Sequence, residues 1–152
     1  MIKVISNNKK ANFEYFILKK FEAGIVLEGS EVKSIRAGGI SLNECYVKVI
    51  NGELFLFNAY IKPYENSKSF TPDARKNRKL LLNKREIEEI ITKFSEKGLT
   101  IVPLRVYLKS NLIKVEIGLC RGKKLYDKRA SLKEQSAKRE IERASKISKL
   151  IN

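Results

Sequence analysis

The chain is a succession of short runs rich in β-forming residues, several with apolar side chains at every second position, interrupted by a few segments with helical spacing. Residues 13–18 (Phe13-Glu14-Tyr15-Phe16-Ile17-Leu18) and 25–27 (Ile25-Val26-Leu27) are aromatic and β-branched, and predict two short strands. Between them Phe21-Glu22-Ala23-Gly24 predicts a bulge or bend at the glycine. Residues 46–50 and 53–57 flank Asn51-Gly52, whose tolerance of positive φ suits a two-residue type I′ turn. A second hairpin joins residues 100–108, with Val102, Leu104, Val106 and Leu108 on one face, to residues 113–119, where Ile113, Val115, Ile117 and Leu119 alternate with Lys114, Glu116 and Gly118. Lys109-Ser110-Asn111 is its turn. Phe13, Phe16, Phe55 and Phe57 read as core residues of these strands.

Helical spacing is clearest at Ile87, Ile90, Ile91 and Phe94, which fall at i, i+3, i+4 and i+7 and form one apolar stripe. Asn83 and Glu86 fit a capping box, and Gly98 can close the far end. A shorter helix is predicted over residues 30–37, with Ser30 as N-cap, Val32 and Ile35 inward, and Gly38-Gly39 ending it. Residues 62–72 have loop chemistry and lead into Arg75-Lys76-Asn77-Arg78-Lys79, which reads either as a phosphate contact or as a solvated entry to the next strand. The predicted fold is mainly β with helices. Its architecture is a small barrel of the oligonucleotide-binding type, with two or three packed helices and a basic C-terminal tail helix.

Charge sharpens this picture. The 152 residues carry 32 Lys plus Arg against 17 Asp plus Glu, a formal net charge of +15. Residues 1–120 contribute +8 of it and residues 121–152 contribute +7, and no aromatic follows Tyr126. The expected organisation is therefore an RNA-binding body over residues 1–122 and a basic tail over 123–152, disordered or helical, with a thin apolar stripe through Leu132, Ala137, Ile141, Ala144, Ile147 and Leu150 or Ile151. A surface this basic repels itself unless a polyanion compensates, which makes nucleic acid the leading partner class. A membrane-surface helix would bring Trp or Phe to the tail's apolar face, and it has neither. The absence of a long apolar run points to a cytoplasmic protein.

The residue inventory also removes chemistries. There is no histidine, so the commonest general base and a mixed zinc site are missing. Aspartate occurs only as Asp73 and Asp127, too sparse for a two-metal centre. Cys45 and Cys120 read as small buried side chains. Glu22 and Glu31 are acids in otherwise basic segments: each could accept from a base or sugar hydroxyl, hold a neighbouring cation, or serve an RNA-cleaving enzyme. A generic single-strand or ribosome binder is the remaining alternative.

Five motifs in order carry a resemblance: Asn8-Lys9-Lys10-Ala11, Phe21-Glu22-Ala23-Gly24, the run from Gly29 through Glu31, Lys33 and Arg36 to Gly38, Arg78-Lys79-Leu80-Leu81-Leu82, and Gly122-Lys123-Lys124-Leu125-Tyr126-Asp127-Lys128-Arg129. Together they resemble the SsrA-binding protein family over essentially the whole chain. The resemblance implies a non-catalytic adaptor of trans-translation, without cofactor or metal. It would bind the tRNA-like domain of transfer-messenger RNA (SsrA RNA) and accompany it, indirectly with elongation factor Tu, to ribosomes stalled without a stop codon. Its tail would occupy the decoding centre and the empty message channel, against ribosomal RNA. By the same resemblance Asn8, Lys9, Lys10, Glu22, Glu31, Lys33, Arg36, Arg78, Lys79, Leu80, Leu81 and Leu82 face RNA, and Gly122, Lys123, Lys124, Tyr126, Asp127, Lys128 and Arg129 engage the ribosome.

Overall fold

The computed structural model describes residues 2–63, 73–95, 98–123 and 129. In chain order they form β1 (Ile2–Asn7), α1 (Ala11–Glu14), β2 (Tyr15–Ile25), α2 (Gly29–Arg36), β3 (Ile40–Ser41), β4 (Tyr46–Ile50), β5 (Glu53–Phe57), β6 (Tyr60–Ile61), β7 (Arg78–Leu81), α3 (Lys84–Phe94), β8 (Leu99–Lys109) and β9 (Leu112–Gly122). The predicted residues 62–72 loop lies mostly outside the described residues, as does the tail.

Both predicted hairpins are present. Asn51 and Gly52 take φ of 51° and 75°, the left-handed pair that a type I′ turn needs, and β4 and β5 pair from Tyr46↔Phe57 to Ile50↔Glu53. Ser110 and Asn111 do the same for β8 and β9, with φ of 51° and 66°. The long strands then recruit the others: β9 pairs with β2, β2 with β7, β7 with β5, β5 with β4, and β4 returns to β8 through Val47↔Ile101, all antiparallel. With the β8–β9 hairpin, these five pairings close a ring, and β1 adds to the free half of β8. A separate two-stranded pair joins β3 to β6.

Three expectations are corrected. Residues 13–27 do not form two strands. Phe13 belongs to α1, and β2 runs unbroken for 11 residues because β9 offers ladder partners along its length, from Tyr15↔Gly122 to Gly24↔Lys114. The irregularity falls between Ile17 and Lys19 and not at Gly24. Second, β8 does not present one uninterrupted apolar face. Its register shifts between Pro103 and Arg105, so Ile101 and Val106 join the main core, while Val102 and Leu104 pack with Ala11 and Cys120 in a smaller cluster. Proline has no N–H to continue the ladder there. Third, Phe13, Phe16, Phe55 and Phe57 are half-buried or exposed. In β5 the alternation turns Leu54 and Leu56 inward, both 0% exposed, and leaves the two phenylalanines on the outer face.

Helices seal the core with one residue each from α2 and α3, Ile35 and Ile90, both fully buried. α3 is capped as its sequence predicts: the Asn83 side chain accepts from the Glu86 N–H at 2.9 Å, and the helix ends at Phe94, with Gly98 at φ 89° ahead of β8. α2 begins at Gly29, so its N-cap is Glu28, whose N–H donates to Glu31 Oε1 at 3.0 Å, and not Ser30. Past its end, Gly39 is wedged against the chain leaving β6. Gly39 N–H donates to Ser34 O, Lys62 N–H to Gly39 O and Ser34 Oγ to Lys62 O, at 2.8, 2.7 and 2.5 Å. A Cβ on Gly39 would lie 2.4 Å from Ser34 Oγ and 2.9 Å from Ser34 O. Gly39→Ala is expected to destabilise the fold by about 1–3 kcal/mol in urea unfolding, because a backbone oxygen has to move to admit the methyl.

Candidate nucleic-acid interface

Arg78 was expected to face RNA, but it is 2% exposed and Glu31 is 3% exposed. The Arg78 guanidinium donates through Nε (2.8 Å) and Nη2 to Glu31 Oε2. It also donates to the carbonyl oxygens of Ala59 (2.9 Å), Lys76 (3.1 Å), Ala74 (3.1 Å) and Asp73 (3.3 Å). One side chain thus ties α2, the corner before β6 and the approach to β7 together. Lys76, 3.7 Å from Glu31 Oε1, adds a second cation. Leu80 is 1% exposed and belongs to the core, whereas Leu81 on the opposite face is 49% exposed and Leu82 packs partly against the core. Glu31, Arg78 and Leu80 are therefore buried and not presented on the surface of this structure. Arg78→Ala strands a buried carboxylate, and a loss of about 3–5 kcal/mol is expected in urea unfolding.

The surface chemistry gathers instead on the outer face of β2, β9 and β8. There Glu22 and Glu116 stand directly opposite each other in the ladder, an arrangement that repels. β8 compensates with Arg105, Tyr107 and Lys109, spaced two apart on one face. Arg105 Nη2 donates to Glu116 Oε2 at 3.2 Å, and its guanidinium lies 4.8 Å from the centroid of the Tyr107 ring. The Tyr107 hydroxyl donates to Glu22 Oε2 at 2.5 Å, and Lys109 Nζ donates to the same carboxylate at 3.3 Å. This hydrogen bond from Tyr107, with help from Lys109, holds the Glu22 carboxyl below its ordinary value. Burial and the bond to Glu22 push the Tyr107 hydroxyl up.

A cleft of about 440 Å³ opens beside this row, lined among others by Asn8, Lys9, Asn12, Lys20, Arg105 and Glu116. Asn8 is partly committed: its N–H donates to Leu104 O at 2.8 Å and its side-chain amide to Pro103 O at 2.9 Å, satisfying two carbonyls at the β8 irregularity. Lys9, Lys10, Lys33 and Arg36 are exposed, and Arg36 Nη2 reaches Asn111 O at 2.9 Å. Lys79, on β7, lies 3.0 Å from Glu53 of β5. So the structure sets Asn8 and Lys9 on a cleft that Glu116, the ladder partner of Glu22, also lines, while Leu81 pairs with Gly24, two residues along β2 from Glu22. Lys20, Arg105, Tyr107 and Lys109 were missed. For the three on β8 the signal was its polar alternation at Arg105, Tyr107 and Lys109; Lys20 belongs to β2.

At the end of β9, Gly122 pairs with Tyr15, Lys123 N–H donates to Glu14 O and Lys123 Nζ to Asn12 O, each at 2.8 Å. Lys124, Tyr126, Asp127 and Lys128 lie outside the described residues, and Arg129 is exposed. Cys45 and Cys120 are buried as expected, and burial raises their thiols to about 12 and about 11. No group of three metal-ligating side chains occurs among the described residues, and no described helix is long and apolar enough to cross a membrane.

A ring of strands with a polar, cation-rich outer face defines a mainly β protein whose surface suits a polyanion. The SmpB protein family profile matches residues 5–147. SsrA-binding protein of Desulfitobacterium hafniense is 50% identical over 142 residues, covering 93% of this chain and 91% of that one. The Lachnoclostridium phytofermentans SsrA-binding protein is 48% identical over 149 residues, covering 98% and 97%. A solved chain described as "tmRNA-SmpB: a journey to the center of the bacterial ribosome" aligns with a TM-score of 0.65 at 45% identity, over 79% of this chain and 85% of that one. The chain belongs to the SmpB protein family.

Because Glu22 sits lower folded than unfolded, it contributes stability that is present above the ordinary carboxyl value and lost as pH falls through its folded value. Tyr107→Phe removes the largest cause. The Glu22 carboxyl is then expected to titrate higher, closer to an ordinary carboxyl, in an NMR pH series, with a correspondingly weaker acid dependence of stability.

Proposed function

We propose that this chain is an RNA-binding adaptor of trans-translation. It binds the tRNA-like domain of transfer-messenger RNA and delivers it to stalled ribosomes. The observation that carries this reading is a family match that runs from the body well into the tail, to residue 147, on a fold that also aligns with the ribosome-bound relative. In this reading the closed ring of strands is a small barrel of the oligonucleotide-binding type. Residues 1–122 form the body that grips folded RNA by shape and phosphate contacts, with Lys9, Lys10, Lys20, Lys33 and Arg36 as donors and Glu22 as an oriented acceptor.

Residues 123–152 are a basic tail that enters the decoding centre and the empty message channel. Gly122, Lys123, Lys124, Tyr126, Asp127, Lys128 and Arg129 lead into it. The chain performs no catalysis of its own, acts in the cytoplasm, and meets elongation factor Tu only through the shared RNA. A chain ended after Leu125 is expected to bind the tRNA-like domain within about threefold of the full chain, since most body phosphate contacts remain. It should fail to support peptide tagging on ribosomes stalled without a stop codon. Normal tagging by the shortened chain would defeat the division of labour.

A further inference from the structure

Every second residue of β4 and β5 points away from the core, and on this outer face the two strands carry aromatic rings. Inward positions are already filled by Val47, Leu54, Leu56 and, from β7, Leu80, each no more than 2% exposed. The outward rings are therefore surplus to the core. Tyr46 and Phe57 are direct ladder partners whose rings stack with centroids 5.4 Å apart and planes 22° apart. Tyr46 is 38% exposed. Lys48, the next outward residue of β4, holds its ammonium 5.4 Å from the Tyr46 centroid and 5.3 Å from that of Phe57, and has no carboxylate in ion-pair range among the described residues.

We propose that this outer face of the β4–β5 hairpin is an additional RNA site, which takes an unstacked base of single-stranded RNA onto Tyr46 and Phe57 while Lys48 pairs with the adjoining phosphate. Paired rings offer a flat, sequence-tolerant platform, and an ammonium one ladder step away supplies the counter-charge; that combination is the chemistry of single-strand binding. Lys48 now occupies the place over the rings where a base would lie. On arrival of RNA it exchanges one electron-rich face for an anion, a change its long flexible stem permits. A duplex keeps its bases stacked inside and cannot use the rings. A protein or lipid partner is less well matched: the nearby acid, Glu53, is already paired with Lys79, so the charge this face offers is cationic.

The site lies away from the cleft beside Asn8 and Arg105, so its failure leaves the reading of that face untouched. The test is fluorescence anisotropy of the full chain with a labelled decanucleotide of adenylate. A hairpin duplex and the isolated tRNA-like domain are measured in parallel. Tyr46→Leu keeps apolar bulk without a ring, and is expected to weaken oligoadenylate binding about tenfold while Tyr46→Phe stays within about twofold. Lys48→Gln, at an exposed position that does not threaten folding, should make the salt dependence shallower by about 0.7 in log–log slope. The proposal is overturned if Tyr46→Leu and Lys48→Gln both bind oligoadenylate like the parent, or if the duplex loses as much as the single strand. It is equally overturned if ribosome cosedimentation falls while oligoadenylate binding does not, which would assign the face to a protein partner.

Discussion

β8 has three neighbours to satisfy, and the way it does so governs the rest of the molecule. Along one edge it pairs with β9; along the other it must serve β1 near Arg105 to Lys109 and β4 at Ile101. An unbroken strand would keep one face inward throughout. The register shift between Pro103 and Arg105 changes phase midway, so Ile101 before it and Val106 after it both reach the main core, while Val102 and Leu104 pack in a smaller cluster. The carbonyls left at that break are taken up by Asn8, which thereby fixes where the chain enters α1 and where Lys9 and Lys10 stand.

The second constraint is ionic. A guanidinium and a carboxylate removed from water are tolerable only when hydrogen bonds use up their donors and acceptors, and Arg78 meets that condition through Glu31 and four carbonyl oxygens. The pair then sets the orientation of α2, and with it the exposed Lys33 and Arg36. Charges on the outer face of β2, β9 and β8 follow a related logic at higher exposure. Opposed carboxylates are held by Arg105, Tyr107 and Lys109, leaving an acceptor in a fixed orientation beside a cation-lined cleft. Fixed polar groups with little left to reorganise recognise a shaped polyanion better than mobile ones.

Local signals were legible from the chain alone. Asn51-Gly52, and Asn111 in the second hairpin, mark their turns locally because Asn and Gly tolerate the left-handed backbone those turns need. Asn83 with Glu86, and the stripe through Ile90, specify α3 in the same local way. The net charge and the burial of both cysteines were equally accessible. Whether Glu31 meets a cation from its own chain could not be read, since its partner is 47 residues away.

Tertiary structure decided the rest. β2 runs through Gly24 because β9 pairs with it; the phenylalanines of β5 turn outward because Leu54 and Leu56 occupy the interior. Arg78 left the surface because α2 delivered Glu31 to it. In each case the deciding energy is a contact between segments far apart along the chain. Pattern in a strand says which residues share a face, but only the closed ring says which face is inside.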